Sequence, residues 1–285
     1  MKALLKRIIP VKIKKMMVKE IYNASKPYEI KITNSMHLMG KNAVVTGGSG
    51  AIGRAICFRL AAEGATVYVS GRTELSVMKI VNEIREKGLK AEPFVMDVSD
   101  EASIERNFNN AFRNKNLDIL VNCAGGGARE KMNSLAEQDI EVIDNILNIN
   151  LRGTMLCTRK AAQFMIPNKR GKIVIISSAV GVGGKANYSE YAAAKSGLLG
   201  FMKSVALELG QYGINVNCVT PGFIQRGTYS DQQLDYIKQT NCLHTIGSLE
   251  DVANAVYFMV SDDAAFITGQ NLGVDGGRTL GLYGD

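Results

Sequence analysis

The sequence predicts an α/β protein: a single doubly wound parallel sheet of about seven strands, with helices on both faces. Three observations carry that prediction. Short apolar runs recur near 42–46, 65–70, 93–97, 117–121, 172–177, 213–219 and 270–274, with helical stretches between them; strands alternating with helices build a parallel sheet covered on both sides. A glycine-dense turn follows the first run at once. The chain, 285 residues long and 46% hydrophobic, with mean hydropathy near zero, can also bury a substantial core.

Taken in order, NAVVT (42–46) is a short apolar strand, and GGSGAIG (47–53) turns it into a helix whose apolar positions are Ala55, Ile56, Leu60 and Ala61. Gly64 closes that helix, and a second strand runs from Ala65 to Ser70. Strand, glycine turn, helix, strand is the Rossmann-type context that makes such a turn credible as a dinucleotide site. Small residues let the backbone approach a pyrophosphate, and the helix head offers N–H groups and positive dipole. The third strand ends at Asp97, and the fourth at NCAG (122–125). Asn150 follows in LNINLRG, the next strand ends in VIISSAVG (174–181), and YAAAK (191–195) opens a further helix. VTPGFI (219–224) and ITGQNLGVDGG (267–277) complete the set. In such a sheet the ligand crevice lies at the carboxyl ends of the strands, where these motifs fall.

Tyr191 and Lys195 share one helix face at i and i+4, and Ser178 stands thirteen residues before the tyrosine. An ammonium held near a phenol favours the phenolate, and a serine hydroxyl alongside can hold a carbonyl oxygen while a proton moves. That is equipment for carbonyl reduction or alcohol oxidation beside a hydride source. The spacing alone decides nothing, since Tyr22 and Lys26 repeat it without such company.

TGGSGAIG, NCAG, Asn150, the serine strand, YAAAK, VTPGFI and ITGQNLGVDGG occur in that order over 40–285, and together they resemble the short-chain dehydrogenase/reductases. The resemblance implies that Tyr191 donates the proton to a carbonyl (or accepts it in reverse), that Lys195 lowers its pKa and contacts the nicotinamide ribose, and that Ser178 orients the substrate oxygen. Asn150 then holds a water that links Lys195 to solvent. It also implies cofactor contacts from Thr46, Gly47, Ser49, Gly50, Ala51, Ile52 and Gly53 in the turn, and from Asp97 and Val98 at the adenine. Asn122, Ala124 and Gly125 follow the fourth strand, and Pro221, Gly222 and Ile224 close over the nicotinamide. Members commonly form homodimers or homotetramers through the helices bearing the asparagine and the tyrosine.

The chain departs from the family pattern in places. Ala51 replaces the middle glycine of the turn, and Cys123 the second asparagine of the fourth motif; the latter matters little if Asn122 bonds backbone across the sheet. Arg226 stands where a threonine usually contacts the carboxamide. The 28 residues from Asn122 to Asn150 include Gly126, Gly127, Ala128 and Arg129, an enlarged loop at the pocket mouth. No acid occupies the tip of the second strand; Gly71, Arg72 and Thr73 do. A guanidinium suits a 2′-phosphate, so NADP(H) is expected over NAD(H), with Arg54 as a possible assistant to Arg72. Gly127, Arg129, Ser178 and Arg226 are the candidate substrate contacts; both arginines are equally compatible with an anionic substrate group or with plain solvation.

The net charge of +7 is carried by the first 40 residues, which hold nine Lys/Arg against two Glu; the body has 25 of each sign. Residues 1–40 therefore read as a basic amphipathic extension, and 41–285 as the catalytic domain. Lysines and Pro10 interrupt every apolar run, which excludes a secretory signal. Peripheral contact of 1–23 with an anionic membrane is one expectation; packing on a neighbouring subunit or disorder is the other. The interleaved aliphatics argue against nucleic acid. Five cysteines without Cys-x-x-Cys pairing suggest reduced thiols in a cytoplasmic protein, and the two distant histidines offer no metal site. Similarity is greatest to 3-oxoacyl-carrier-protein reductases and related sugar or polyol dehydrogenases. The expected reaction interconverts a carbonyl and a secondary alcohol, on a 3-oxoacyl thioester or on a sugar or polyol of envelope polysaccharide metabolism. A non-catalytic nucleotide-binding scaffold is the reading from another class.

Overall fold

The computed structural model describes residues 22–23, 36–126 and 131–281. Its centre is a seven-stranded sheet, parallel throughout, in the order β4-β3-β2-β5-β6-β7-β9. The strands are β2 (Asn42–Thr46), β3 (Thr66–Gly71), β4 (Ala91–Val95), β5 (Ile119–Asn122), β6 (Gly171–Ile176), β7 (Ile214–Pro221) and β9 (Asn271–Val274). The fold is thus the doubly wound Rossmann-type sheet that the sequence predicts. The direction of winding reverses between β2 and β5, and a crevice opens there at the strands' carboxyl ends.

Alternation along each strand feeds two separate cores. Ala43 and Val45 point into one, with α1 (Ala51–Ala62), α2 (Glu74–Arg85) and α9 (Leu249–Val260). Val44 points into the other, with α3 (Glu101–Phe112), α5 (Gly153–Met165) and α7 (Ser189–Leu209). Period-2 side chains on a sheet covered on both sides leave no polar face, which is why these strands read as continuous apolar runs. Pro93 lies in β4, at the sheet's edge, where a residue without an N–H is tolerated.

Local chemistry fixes the helix starts. Asp100 and Asp139 cap α3 and α4 (Ile140–Leu147) by accepting from Ala102 and Glu141 N–H. Reciprocal capping boxes begin α8 (Asp231–Lys238) and α9. Between α4 and α5 the chain widens into a π-turn, Asn148–Arg152. Such a turn inserts a residue and redirects side chains, often at a functional site.

Leu38 packs into the first core and its N–H bonds the Glu63 carbonyl, so the chain joins the body before residue 41. Further upstream, β1 (Tyr22–Asn23) pairs antiparallel with β8 (Tyr229–Ser230), in the loop after β7. The expectations for 1–21 and 24–35, membrane contact among them, lie outside the described residues. Among the described residues no helix is long and apolar enough to cross a membrane.

Candidate active site

The crevice holds a cavity of about 310 Å³, within the usual range for a small-molecule site. Of the sequence-predicted residues, Gly47, Ser49, Arg72, Asp97, Val98, Ala124, Gly125 and Asn150 line it. The cavity starts at the head of α1. Gly50, before the helix, supplies no side-chain cap, and the first turn carries no acid. The leading N–H groups are therefore left to a ligand, and an anion is what a helix head favours. The turn is closed sterically, because a Cβ on Gly53 would collide with the Gly47 carbonyl. These features fit the diphosphate of a dinucleotide.

At the cavity's far wall Asp97 accepts from the Ser99 N–H at 2.9 Å and the Ser99 hydroxyl at 2.6 Å. Burial pushes its carboxyl up, but these two bonds and the nearby Arg72 guanidinium outweigh it and hold the group below its ordinary value. Arg72 itself is exposed at the tip of β3, with no carboxylate beside it in the strand tip. Arg54 does not join it: its guanidinium pairs with Glu83 at 2.7 Å and stacks over Phe58.

The other end is built around Gly125 and Asn150. Gly125 adopts φ +140°, and a Cβ there would collide with Asn150 Oδ1 and stand 3.6 Å from Lys195 Nζ. The π-turn carries the asparagine. From there its Nδ2 donates to the Ile146 carbonyl at 3.0 Å, while the same amide exchanges bonds with the Gly126 N–H and C=O, each at 3.1 Å. Lys195 is buried, donates to the Ile176 carbonyl at 2.9 Å and lies 5.8 Å from the centre of the Tyr191 ring. Burial pushes its ammonium down to about 8, against a smaller upward pull from Cys123 and Cys218. Ser178 caps α6 (Ala179–Gly183), and that short helix rests on Lys195: a Cβ on Gly181 would stand 2.8 Å from the lysine's. The preceding Ser177 hydroxyl donates to the Lys195 carbonyl at 2.8 Å. At the Gly125 end of the cavity, Asn150 from the π-turn thus lies across Gly125 from Lys195, which shares its helix with Tyr191.

Other expected contacts fall differently. Thr46 and Asn122 are buried under the crevice. It is Thr46 Oγ1 that bonds across the sheet, accepting from Cys123 and Ala124 N–H at 3.0 Å, whereas Asn122 Nδ2 turns to the Thr158 hydroxyl. A β-branched hydroxyl at the end of β2 reaches the neighbouring main chain directly, which leaves the asparagine to the helix layer. Thr73 Oγ1 bonds the Ser76 hydroxyl at 2.7 Å. Ile224 points into the first core and bridges to Gly247, and Gly222 packs against Asp275. Gly50, Ala51, Ile52 and Pro221 are not among the residues that line the cavity. Gly127 and Arg129 lie outside the described residues. Arg226 is exposed, yet it and Lys195 both bear on the half-buried Cys123 thiol, which burial pushes up to about 11.

Gly71 at the β3 tip and Gly126 at the pocket mouth, read from the sequence by position without a contact assigned, also line the cavity, as do Met96, Asn145, Ile146 and Ile149, which sequence reasoning missed. Asn145, Ile146 and Ile149 sit five, four and one residues before Asn150, and helical periodicity back from that residue was the signal for Ile146 alone. A second cavity, about 630 Å³, lies between 241–247 and 272–280. Its polar groups Asn241 and Asp275 are bonded within the protein; Phe223 and 272–277 of two motifs line it, but Ser178, Tyr191, Lys195 and Asn150 do not.

The chain is similar to known proteins over nearly all of this fold. A family model described as enoyl-(acyl carrier protein) reductase matches residues 47–279. The 3-oxoacyl-[acyl-carrier-protein] reductase FabG of Escherichia coli (strain K12) is 37% identical over 250 residues, 86% of this chain and 100% of that one. The (2S)-[(R)-hydroxy(phenyl)methyl]succinyl-CoA dehydrogenase subunit BbsD of Thauera aromatica is 35% identical over 253 residues, 86% of this chain and 99% of the relative. The crystal structure of a 3-oxoacyl-[acyl-carrier protein] reductase from Brucella melitensis superposes with a TM-score of 0.82 at 27% identity, covering 90% of this chain and 99% of its own. Sheet order, crevice and sequence similarity agree: the chain belongs to the short-chain dehydrogenase/reductase family of oxidoreductases, whose members work with a nicotinamide cofactor.

Proposed function

We propose that this chain is an NADP(H)-dependent reductase that converts a carbonyl to a secondary alcohol, with a 3-oxoacyl thioester as substrate and Tyr191 as proton donor. The observation that supports the reading is the buried Lys195 ammonium, 5.8 Å from the centre of the Tyr191 ring and separated from Asn150 by Gly125, at one end of a cleft whose other end is an uncapped helix head. Bound nicotinamide would supply the hydride. The protein's own work is to hold and polarise the carbonyl oxygen. Ser178 Oγ and the Tyr191 hydroxyl donate to that oxygen, and the phenol proton follows as charge builds there. The buried Lys195 ammonium stabilises the phenolate left behind. Asn150, fixed by three bonds to main chain, holds a water against Lys195 through which the proton is replaced. Arg72 favours the 2′-phosphate because nothing acidic at the β3 tip repels it. We take 41–285 as the catalytic domain and 1–40 as an extension. Pairing into dimers or tetramers through α5 and α7 belongs to the same reading, and exposed Met155 and Leu207 support it.

The family model's description names enoyl reduction, while curated relatives are named for 3-oxoacyl groups; the test therefore includes both. Cofactor consumption is followed with NADPH and with NADH over 3-oxoacyl, enoyl and keto-sugar substrates. Expected is turnover of the 3-oxoacyl thioester with NADPH, and loss of at least about a thousandfold in kcat in Tyr191→Phe with NADPH binding retained. Turnover of the enoyl thioester alone, or undiminished activity in Tyr191→Phe, would sink the assignment.

A further inference from the structure

The segment 131–138 follows the loop that the sequence marks as enlarged, and it is held to the body by very little. Residues 131–137 are all exposed, Leu135 and Met132 among them, and their bonds are local. Gln138 is the one buried residue of the eight, at 9% exposure. Its Nε2 donates to Glu190 Oε1 at 3.1 Å and to the Lys131 carbonyl at 3.3 Å, and its Oε1 accepts from the Asp139 N–H at 3.1 Å. A single side chain thus ties both ends of the segment to the residue next to Tyr191.

Glu190 is unusual in its own right. It is 5% exposed, and among the described residues no cation pairs with it. Among the described residues its donors are neutral: Gln138, and the Ser189 hydroxyl on Oε2 at 3.2 Å. A buried carboxylate without a counter-charge is costly. Its place in the first turn of α7 offsets part of that cost, since the helix head favours negative charge. The proposed chemistry makes no use of the group, and no apolar packing of 131–137 substitutes for it.

We propose that Gln138 and Glu190 are positioning residues: their bond clasps the pocket-mouth segment to the head of the tyrosine helix, and so sets how tightly the carbonyl substrate is gripped. The catalytic part of this rests on the function proposed above. An amide–carboxylate pair can be broken and rebuilt by exchange. Gln138→Glu places two carboxylates in contact, a repulsive juxtaposition; adding Glu190→Gln restores one amide and one carboxylate with their positions reversed.

The test measures KM for the 3-oxoacyl thioester and for NADPH separately, with hydrogen exchange of 131–138, in wild type, Gln138→Glu, Glu190→Gln and the double exchange. Gln138→Glu is expected to raise KM for the thioester about tenfold, with kcat and KM for NADPH within about twofold, the signature of lost ground-state binding. Its 131–138 amides should exchange about tenfold faster, and the double exchange should recover most of both effects. A double exchange no better than Gln138→Glu, unchanged amide exchange, or a parallel rise in KM for NADPH would overturn the clasp. If wild type turns over no carbonyl at all, the functional reading fails, and the exchange rates still decide whether the clasp exists.

Discussion

The turn at the head of the cleft is held by main chain; the segments 131–138 and after β7 are held by side chains. Gly47, Gly53 and Gly125 leave no room for a Cβ, and Thr46 stitches the ends of β2 and β5 together beneath them. By contrast, the 131–138 segment hangs on Gln138, and the loop after β7 is pinned by Ile224 in the core and by Asn241 bonding the Thr245 carbonyl at 2.8 Å. The first region has one conformation because sterics forbid others. The second can be re-cut by substitutions without disturbing the sheet. One rigid half that accepts a constant cofactor and one adjustable half suit a family that keeps its chemistry while changing its substrate.

The largest break in this contrast is expected at Gly53. Gly53→Ala forces a methyl onto the Gly47 carbonyl and should cost more than about 3 kcal/mol, with loss of cofactor binding, read by thermal unfolding and cofactor titration. A stable variant that still binds cofactor would show that the main-chain turn is softer than its contacts imply.

The effect at Lys195 should be next. Its folded pKa, about 8, lies below the ordinary 10.5. The group's stabilising contribution is therefore present above the unfolded value and is lost as pH falls through about 8, so at pH 7 the buried ammonium costs stability. Lys195→Met should abolish turnover yet raise the stability of the cofactor-free protein by about 1–2 kcal/mol at pH 7, and the gain should shrink as pH rises toward 10. In wild type, carbonyl reduction should decline above about pH 8 as the ammonium discharges. A destabilised Lys195→Met at pH 7 would mean that its bond to the Ile176 carbonyl outweighs the burial of charge.

The smallest effect belongs to the adjustable segments. Arg226 is exposed, so Arg226→Ala should change KM for the carbonyl substrate by no more than about threefold and leave cofactor affinity alone. A larger change confined to KM for an anionic substrate would make Arg226 a specificity contact rather than a solvated cation.

Legibility in the sequence divides along the same line. The strands, the glycine turn and the shared helix face of Tyr191 and Lys195 could be read because local rules govern them: period-2 burial, a steric ban on side chains, a fixed i, i+4 face. The exchange of roles between Thr46 and Asn122 could not be read, since both are polar residues at strand ends and only the register of β2 on β5 decides which reaches the main chain. Ile149 became a cavity wall through the π-turn, which no hydrophobic pattern announces. Gln138 and Glu190 lie 52 positions apart, beyond the reach of any spacing rule. Arg54 looked available for phosphate until the helix beside it supplied Glu83.

Strand β1 has a practical corollary. Its two residues are joined to the main chain at 229–230, eight positions past Pro221, so the chain at Tyr22 is fastened to the loop that follows β7. An affinity handle spliced on ahead of that point hangs from the same loop, and rate constants taken with it in place describe the handle together with the enzyme.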